Sequence, residues 1–193
     1  HPATAVSKSL YGLFFEEINH AGDGGLYAEM LRNRSFEEAD PMAGWKLSTL
    51  SGKPLEPVID TTTPLHPSNP HSLQLNIREG EIVFLDNVGY WGMNIQKGHH
   101  YHLSFYAKTQ DNFDIRPHFT KQGAPPSAPY PLTYIKADKR GWTQYSYDVE
   151  AQEDVPNAQL RLDITPTFRT SNISRVLTFS LDMVSLFPTN TWK

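Results

Sequence analysis

The strongest constraint on the fold is a pattern of short runs of alternating apolar and polar residues that begins after residue 40. These runs are separated by Pro, Gly, Asn and Asp, which is typical of strands joined by turns in antiparallel sheets. Clear strands are predicted at Ser72–Arg78 and at residues 100–108, 142–149, 159–164 and 176–186. Weaker candidates lie at residues 58–62, 81–85, 92–96 and 115–119. About eight to ten such strands predict a mainly β protein, a two-sheet jelly-roll sandwich.

The alternation also predicts which side chains face the core. Successive side chains of a strand point to opposite faces, so every second apolar residue lies on one face. The expected inward residues are Leu73, Leu75, Ile77, Tyr101, Leu103, Phe105 and Ala107. Hydrophobic residues make up 38% and aromatic residues 12% of the chain, enough for a packed core, which excludes a disordered protein. The Pro-rich residues 124–131 are predicted to form a long surface loop.

The opening segment follows a different pattern. An apolar strand is predicted over residues 10–15, and it ends in two adjacent carboxylates, Glu16 and Glu17. A turn with three glycines and a short helical stretch follow, with Leu26, Met30 and Leu31 on one face. Acids at a strand end beside glycines are typical of the rim of an enzyme pocket. This strand has no partner within residues 1–40, so it either packs on the sandwich or belongs to another domain.

Charge and composition limit the partners. The net charge of −4 lies in the first 40 residues, where seven acids face three bases, and no basic stripe exists to hold nucleic acid. No apolar run is long enough to span a membrane, so we expect neither nucleic acid nor a membrane as partner. The start at His1-Pro2 without a leader predicts a mature secreted product. Cysteine is absent, which rules out disulfides and thiolate sites.

Two sequons predict N-glycosylation, which accompanies secretion. Asn172, in Asn-Ile-Ser, lies in a polar turn and is the favoured acceptor. Asn33, in Asn-Arg-Ser, lies within the compact opening motif, where a glycan has less room.

Residues 10–38 resemble the start of the catalytic domain of secreted, fungal-type α-L-arabinofuranosidases of glycoside hydrolase family 51. Residues 181–188, Leu-Asp-Met-Val-Ser-Leu-Phe-Pro, are similar to the strand that closes the jelly roll inserted in these enzymes. The resemblance is strong over residues 10–38, fair over residues 177–188 and loose between them. It implies that residues 1–36 are the first strand and helix of a (β/α)8 barrel. Residues 37–188 would be a sandwich like a carbohydrate-binding module, and residues 189–193 the connection back to a barrel completed outside this chain.

The implied activity is removal of terminal arabinofuranose from arabinoxylan or arabinan with retention of configuration. Such chemistry needs two carboxyl groups about 5 Å apart. In the family both come from late barrel strands, and the acid/base lies in an Asn-Glu pair, a dipeptide absent from this sequence. Glu16 and Glu17 are adjacent in a strand and diverge, so they cannot be the pair. The chain is therefore expected to hold no catalytic residue, to need no cofactor and to be inactive without a C-terminal barrel polypeptide.

Substrate binding is the role that the resemblance does assign. The glutamate of the family's Gly-x-Phe-x-Glu stretch, which hydrogen-bonds the sugar in the arabinose subsite, falls on Glu16. A carboxylate accepts hydroxyl donors strongly in a dry pocket. Glu17 and Asn19 are expected to line the rim beside it. The alternative is an ion pair between Glu16 and Arg32 or Arg34.

Metal binding is left open by the sequence. His99, His100 and His102 are too few for a zinc site and fit an exposed strand face. Glu37 and Asp182 are similar to positions near a structural calcium in several jelly-roll modules, but calcium needs six or more oxygens.

Several aromatic residues are candidates for a sugar-stacking platform. The better exposed candidates lie in loops and are Tyr90, Trp91 and Tyr130. Tyr106 and Tyr134 are further candidates, whereas Trp142 is expected to pack at the sheet.

Two other functions remain possible at this point. A free-standing carbohydrate-binding module is the main alternative, and a non-catalytic extracellular adhesion domain is the third. The unpaired segment 10–31 favours the enzyme, because a carbohydrate-binding module that folds by itself would not need an additional strand and helix without partners.

Overall fold

The computed structural model describes residues 29–125, 134–167 and 175–189, which form two antiparallel sheets packed face to face. The strands in these ranges are β1 (Trp45–Thr49), β2 (Val58–Asp60), β3 (Ser72–Arg78), β4 (Val83–Asn87), β5 (Met93–Ile95), β6 (His100–Thr109), β7 (Phe113–Lys121), β8 (Ile135–Ala137), β9 (Thr143–Glu150), β10 (Val155–Pro166) and β11 (Val176–Pro188). The predicted sandwich is confirmed. These ranges contain no helix, and so none that could cross a membrane.

The two longest strands lie at the centres of the two sheets. Sheet A has the order β1-β4-β10-β7-β8, with β5 pairing with β10, and sheet B has the order β2-β3-β11-β6-β9. Chain neighbours such as β3 and β4, β6 and β7, or β10 and β11 belong to different sheets. The chain therefore crosses repeatedly from one sheet to the other, as in a jelly roll.

The core lies between the sheets and is built from the predicted alternating residues. The expected inward residues of β3 and β6 are all buried. Phe113 of sheet A and Phe179 of sheet B are fully buried, with ring centroids 5.1 Å apart. Each such side chain contributes about 2–3 kcal/mol by burial, so these rings hold the two sheets together.

The strand boundaries differ from the prediction where alternation gives no signal. β3 matches Ser72–Arg78, but β10 begins earlier than predicted because its first residues pair with β5 across a register shift. Asn157, at this shift, has a φ of 54°, a bulge that breaks the alternation. β1 and β8 were missed because they have only five and three residues, too few for a clear alternation. Ala124 and Pro125 lie outside any strand, as predicted, and the rest of the predicted loop lies outside the described residues.

The helix predicted around Leu26 to Leu31 is not formed in its described part. Residues 29–31 have no helical structure, and the rest of the helix and the strand at 10–15 lie outside the described residues. Leu31 and Phe36 are fully buried in the sandwich core. The helix prediction is wrong at residues 29–31, where Met30 N donates to Leu186 O of sheet B instead. The domain boundary after residue 36 stays a prediction.

Candidate functional site

A cleft of about 400 Å³, lined mostly by polar residue types, lies where residues 29–38 meet the sandwich. Its lining combines carboxylates, amides and a guanidinium, groups that donate and accept hydrogen bonds. The lining residues are Glu29, Leu31, Asn33, Arg34, Ser35, Glu37, Glu38, Asn69 and Tyr90. A second cleft of about 420 Å³, on the outer face of sheet B, shares Asn69 with the first and includes Tyr106 and Met183.

The cleft is built around a bulge in β11. Its pairing with β6 shifts register between Asp182 and Ser185, and Met183 has a φ of 51°. The pairing of β11 with β3 ends at Leu181, so the residues beyond the bulge lose that neighbour. The opening segment replaces it: Val184 N donates to Arg34 O and Met30 N donates to Leu186 O, both at 3.0 Å. The described part of the opening segment therefore extends sheet B.

Glu29 fixes this arrangement through a buried carboxylate that is only 6% exposed. Its Oε1 accepts hydrogen bonds from Leu31 N at 3.0 Å and Leu186 N at 2.9 Å. Its Oε2 accepts one from Ser185 Oγ at 2.6 Å and lies 3.3 Å from Arg34 Nε. Hydrogen bonds to an ionised acceptor are about twice as strong as neutral ones. Glu29 thus joins the opening segment to β11 and is already fully engaged by the protein.

Sheet A holds the same segment from the other side. Asn87 is fully buried, and its amide accepts from Arg32 N at 3.3 Å and donates to Arg32 O at 2.9 Å. Trp45 Nε1 donates to Asn33 O at 2.9 Å. At Gly89, with φ +64°, a Cβ would lie 2.8 Å from Met30 O, so only glycine permits this approach. The segment is therefore clamped between the two sheets.

Asp182 lies at the bulge with no exposed surface. Its pKa is raised to about 7, mainly by burial and in part by the Glu37 carboxylate, while the Met183 N–H and Arg34 act to lower it. Met183 N donates to Oδ1 at 2.6 Å, while Oδ2 has no hydrogen-bond partner among the described residues. A raised pKa is what a general acid needs. A fully buried side chain, however, has no access to a glycosidic oxygen.

The sequence-predicted site residues fall in two groups. Glu16, Glu17, Asn19 and Asn172 lie outside the described residues, and their roles stay predictions. Asn33 is described: its Nδ2 donates to Pro41 O at 2.9 Å and its Oδ1 accepts from Glu38 N at 3.2 Å, so this amide shapes a turn.

The arginines proposed as alternative partners of Glu16 have partners of their own in the described chain. Arg32 donates two bonds to Glu38, at 3.1 and 2.7 Å, and Arg34 lies beside Glu29. Nothing in the sequence pattern distinguishes Glu29 or Asn87 as the residues that hold the segment, because their partners lie far along the chain.

Two of the candidate metal ligands, Glu37 and His102, are engaged with other residues. Both carboxylate oxygens of Glu37 bind His71, one through its backbone N–H and one through its ring. His102 Nδ1 lies 2.6 Å from Asp148 Oδ1 on the outer face of sheet B. Across the described ranges no group of three or more His, Asp or Glu residues is placed to hold a metal ion.

The aromatic candidates differ in exposure. Trp91 is 69% exposed and its ring lies 5.9 Å from that of Tyr90. Trp142 donates to Thr63 O at 3.1 Å, and Lys108 Nζ lies 4.8 Å from its ring centroid. Trp142 therefore packs at the sheet edge as expected, while Trp91 keeps most of its surface in solvent. Tyr130 lies outside the described residues.

Curated relatives match nearly the whole chain. It is 30% identical to α-L-arabinofuranosidase 2 of Arabidopsis thaliana over 198 residues, covering 97% of this chain and 28% of that protein. It is also 30% identical to an extracellular exo-α-L-arabinofuranosidase of Streptomyces chartreusis, covering 98% of this chain and 21% of that protein. No family model matches the chain. The chain thus spans less than a third of the length of these relatives.

Solved structures share the fold. An arabinose-bound α-L-arabinofuranosidase of the GH51 type superimposes with a TM-score of 0.73 and 24% identity, over 99% of this chain and 31% of that chain. A xylan-binding domain from Paenibacillus barcinonensis superimposes with a TM-score of 0.54 and 16% identity, over 81% of this chain and 98% of that domain.

Replacing the buried carboxylate tests how the opening segment is held. Glu29→Gln should lower the free energy of unfolding by about 2–4 kcal/mol, because an amide presents only one acceptor oxygen to several buried donors. Hydrogen exchange at Leu31 and Leu186 should accelerate. Glu38→Gln, in a half-exposed pair with Arg32, is the matched control and should cost less than about 1 kcal/mol. Equal losses in the two variants would contradict this role for Glu29.

The raised pKa of Asp182 predicts a pH dependence of stability. Between about pH 3.8 and pH 7, Asp182 keeps its proton in the native state, whereas in the unfolded chain, with the ordinary pKa of 3.8, it has lost it. The free energy of unfolding should therefore fall as pH rises through this range, by on the order of 3–4 kcal/mol from this group. Asp182→Asn cannot ionise and should remove that part of the slope, leaving other groups unchanged. Chemical denaturation from pH 4 to 8 measures it, and parallel curves for the two proteins would exclude it.

Proposed function

Since this chain is homologous to a region of α-L-arabinofuranosidases, we propose that it is the N-terminal polypeptide of a secreted, retaining enzyme of that kind. The enzyme would remove terminal arabinofuranose from arabinoxylan or arabinan. The observation that carries the proposal is the match over 97% of this chain to only 28% of a relative's length. The remaining length of such an enzyme would supply the rest of a (β/α)8 barrel and the catalytic pair of carboxyl groups.

The positions of the two ends of the sandwich support an inserted domain. Met30 pairs with Leu186, and Thr189 N donates to His100 O at 2.8 Å, so residues 29 and 189 lie at one end of the sandwich. A domain whose ends lie together can be inserted into another domain with little disturbance. We infer that residues 1–36 come from the barrel and already pack on the sandwich from residue 29 onward. Residues 37–188 would form the inserted sandwich, and residues 189–193 would begin the connection back to the barrel.

The chemistry of the described carboxylates supports a catalytic pair elsewhere. Glu29 is occupied by three donors, and Asp182 is fully buried. Neither offers the accessible pair of carboxyl groups that retention requires. In the proposed enzyme Glu16 hydrogen-bonds the terminal sugar, with Glu17 and Asn19 beside it, and no cofactor takes part. Secretion, supported by the extracellular relative, would accompany glycosylation at Asn172 or Asn33.

A free-standing carbohydrate-binding module is the second candidate. It is favoured by the superposition on nearly all of a xylan-binding domain and by the exposed ring of Trp91. The opening segment disfavours this candidate. Its residues 29–36 are tightly held by the sandwich, and the residues before them resemble a barrel strand.

Complementation distinguishes the two candidates. The purified 193-residue chain should not hydrolyse an aryl α-L-arabinofuranoside, because it lacks the catalytic pair. Co-expression with the C-terminal barrel polypeptide should yield a complex that does. Hydrolysis that co-purifies with the chain alone, with no second polypeptide in the intact mass, would overturn the proposal.

The role of Glu16 is tested in the complete enzyme. Glu16→Gln should lower kcat/KM by about 30- to 1,000-fold, equivalent to roughly 2–4 kcal/mol of transition-state stabilisation, with the melting temperature nearly unchanged. Glu56→Gln, an exposed acid in the sandwich, is the matched control and should leave kcat/KM as it is. Wild-type turnover by the Glu16 variant would exclude sugar binding by this residue.

A further inference from the structure

A polar pocket of about 320 Å³ lies at the end of the sandwich opposite to the opening segment. We call it the far-end pocket; Glu79, Asp111, Asn112, Arg140, Arg175 and Leu177 are among its lining residues. Leu177 and Leu186 lie near the two ends of β11, which places them about 30 Å apart at the rise of a strand. The far-end pocket is therefore remote from the place where the chain leaves the sandwich.

Glu79 gives this pocket an unmet hydrogen-bonding requirement. The residue is only 5% exposed, and its Oε2 accepts no hydrogen bond from any described residue. A buried acceptor without a donor is costly, and native proteins nearly always satisfy such groups. The pocket beside Glu79 is large enough for a small ligand to bring the missing donor.

The rim limits the chemistry of that ligand. Arg175 Nη2 lies 2.6 Å from Asp111 Oδ1, whereas Arg140 forms no ion pair within the described ranges. The lining thus holds three carboxylates and two guanidinium groups, so its charge is nearly balanced. These groups belong to Glu79, Asp111, Asp138, Arg140 and Arg175. Balanced charge disfavours a strongly charged anion, and a metal lacks a suitable ligand group among these residues. A neutral ligand with several hydroxyls suits a wall that both donates and accepts.

Backbone contacts hold the pocket in place before any ligand arrives. Glu79 N donates to Arg175 O at 2.9 Å, and Thr167 N donates to Asn112 O at 2.8 Å. Asp111 N donates to Thr109 Oγ1 at 3.0 Å, and Thr109 bridges to Arg140. A preformed site loses little conformational entropy on binding.

We propose that the far-end pocket binds one uncharged sugar residue, with Glu79 accepting from a hydroxyl and Arg140 donating to another. The choice of a pentose from a plant polysaccharide rests on the proposed function, whereas the pocket and its polarity do not. In the complete enzyme this site would hold the polymer at the end of the sandwich that points away from the barrel junction.

Binding is tested by NMR on the ¹⁵N-labelled 193-residue chain, produced in bacteria so that it carries no glycan. The probes are L-arabinose, D-xylose and an arabinoxylan oligosaccharide, with isomaltotriose for comparison. A pentose or the oligosaccharide should shift the amides of residues 110–112, Glu79 and Arg140, saturating with a Kd of about 1 mM or tighter. If the free pentoses shift these amides, the pocket recognises a single sugar residue. If only the oligosaccharide shifts them, the pocket recognises a sugar residue within a longer oligosaccharide.

Two variants and one control decide the assignment. Glu79→Gln and Arg140→Ala should each weaken binding at least tenfold, and Glu150→Gln, at the other end of sheet B, should not change it. If Glu79→Gln loses its native near-ultraviolet circular dichroism, the exposed Arg140 variant decides alone. No shift up to about 10 mM sugar, or shifts only around Trp91, would overturn the proposal. Complementation of hydrolysis is a separate measurement, so the two proposals can fail independently.

Discussion

The structure depends on how the backbone of β11 is satisfied after its bulge. A buried N–H or C=O must find a partner, and β3 supplies none past Leu181. Residues 30–34 fill this place with backbone hydrogen bonds, and the Glu29 carboxylate adds the acceptors that the backbone lacks. Without this segment, Val184 and Leu186 would leave buried donors unpaired. The opening segment is therefore part of the sandwich at residue 29, although its sequence resembles another domain.

The same contacts give the sandwich two different ends. Met30, Leu186 and Thr189 lie at the junction end, where the chain connects to whatever flanks residues 29 and 189. The far end carries the pocket beside Glu79, closed by contacts between residues distant in sequence. The proposed sugar site at the far end, together with the contacts at the junction, would suit a domain that holds a polymer while the proposed barrel acts on it. A buried acid lies at each end: both carboxylate oxygens of Glu29 accept hydrogen bonds, whereas Oε2 of Glu79 accepts none from the described residues.

Alternation in the sequence was sufficient to predict the two-sheet sandwich, most of its strands and their inward faces. A strand with one buried face alternates between apolar and polar residues, so the positions and inward residues of β3 and β6 could be predicted. β1 and β8 have only five and three residues, so their pattern carries little information. The early start of β10 was hidden by the bulge at Asn157, since an extra residue puts the alternation out of phase.

The sequence by itself determined the class of fold, because alternation is a local property set by neighbouring residues. It also determined the resemblance of residues 10–38 and 181–188 to known enzymes. Only the tertiary structure decided which acids are satisfied: the Glu29 carboxylate accepts from Leu186 N, far along the chain, whereas Glu79 Oε2 has no donor among the described residues. It also decided that Asp182 is buried and has a raised pKa. Burial and hydrogen-bond partners arise from residues far apart in sequence, and no local pattern records them.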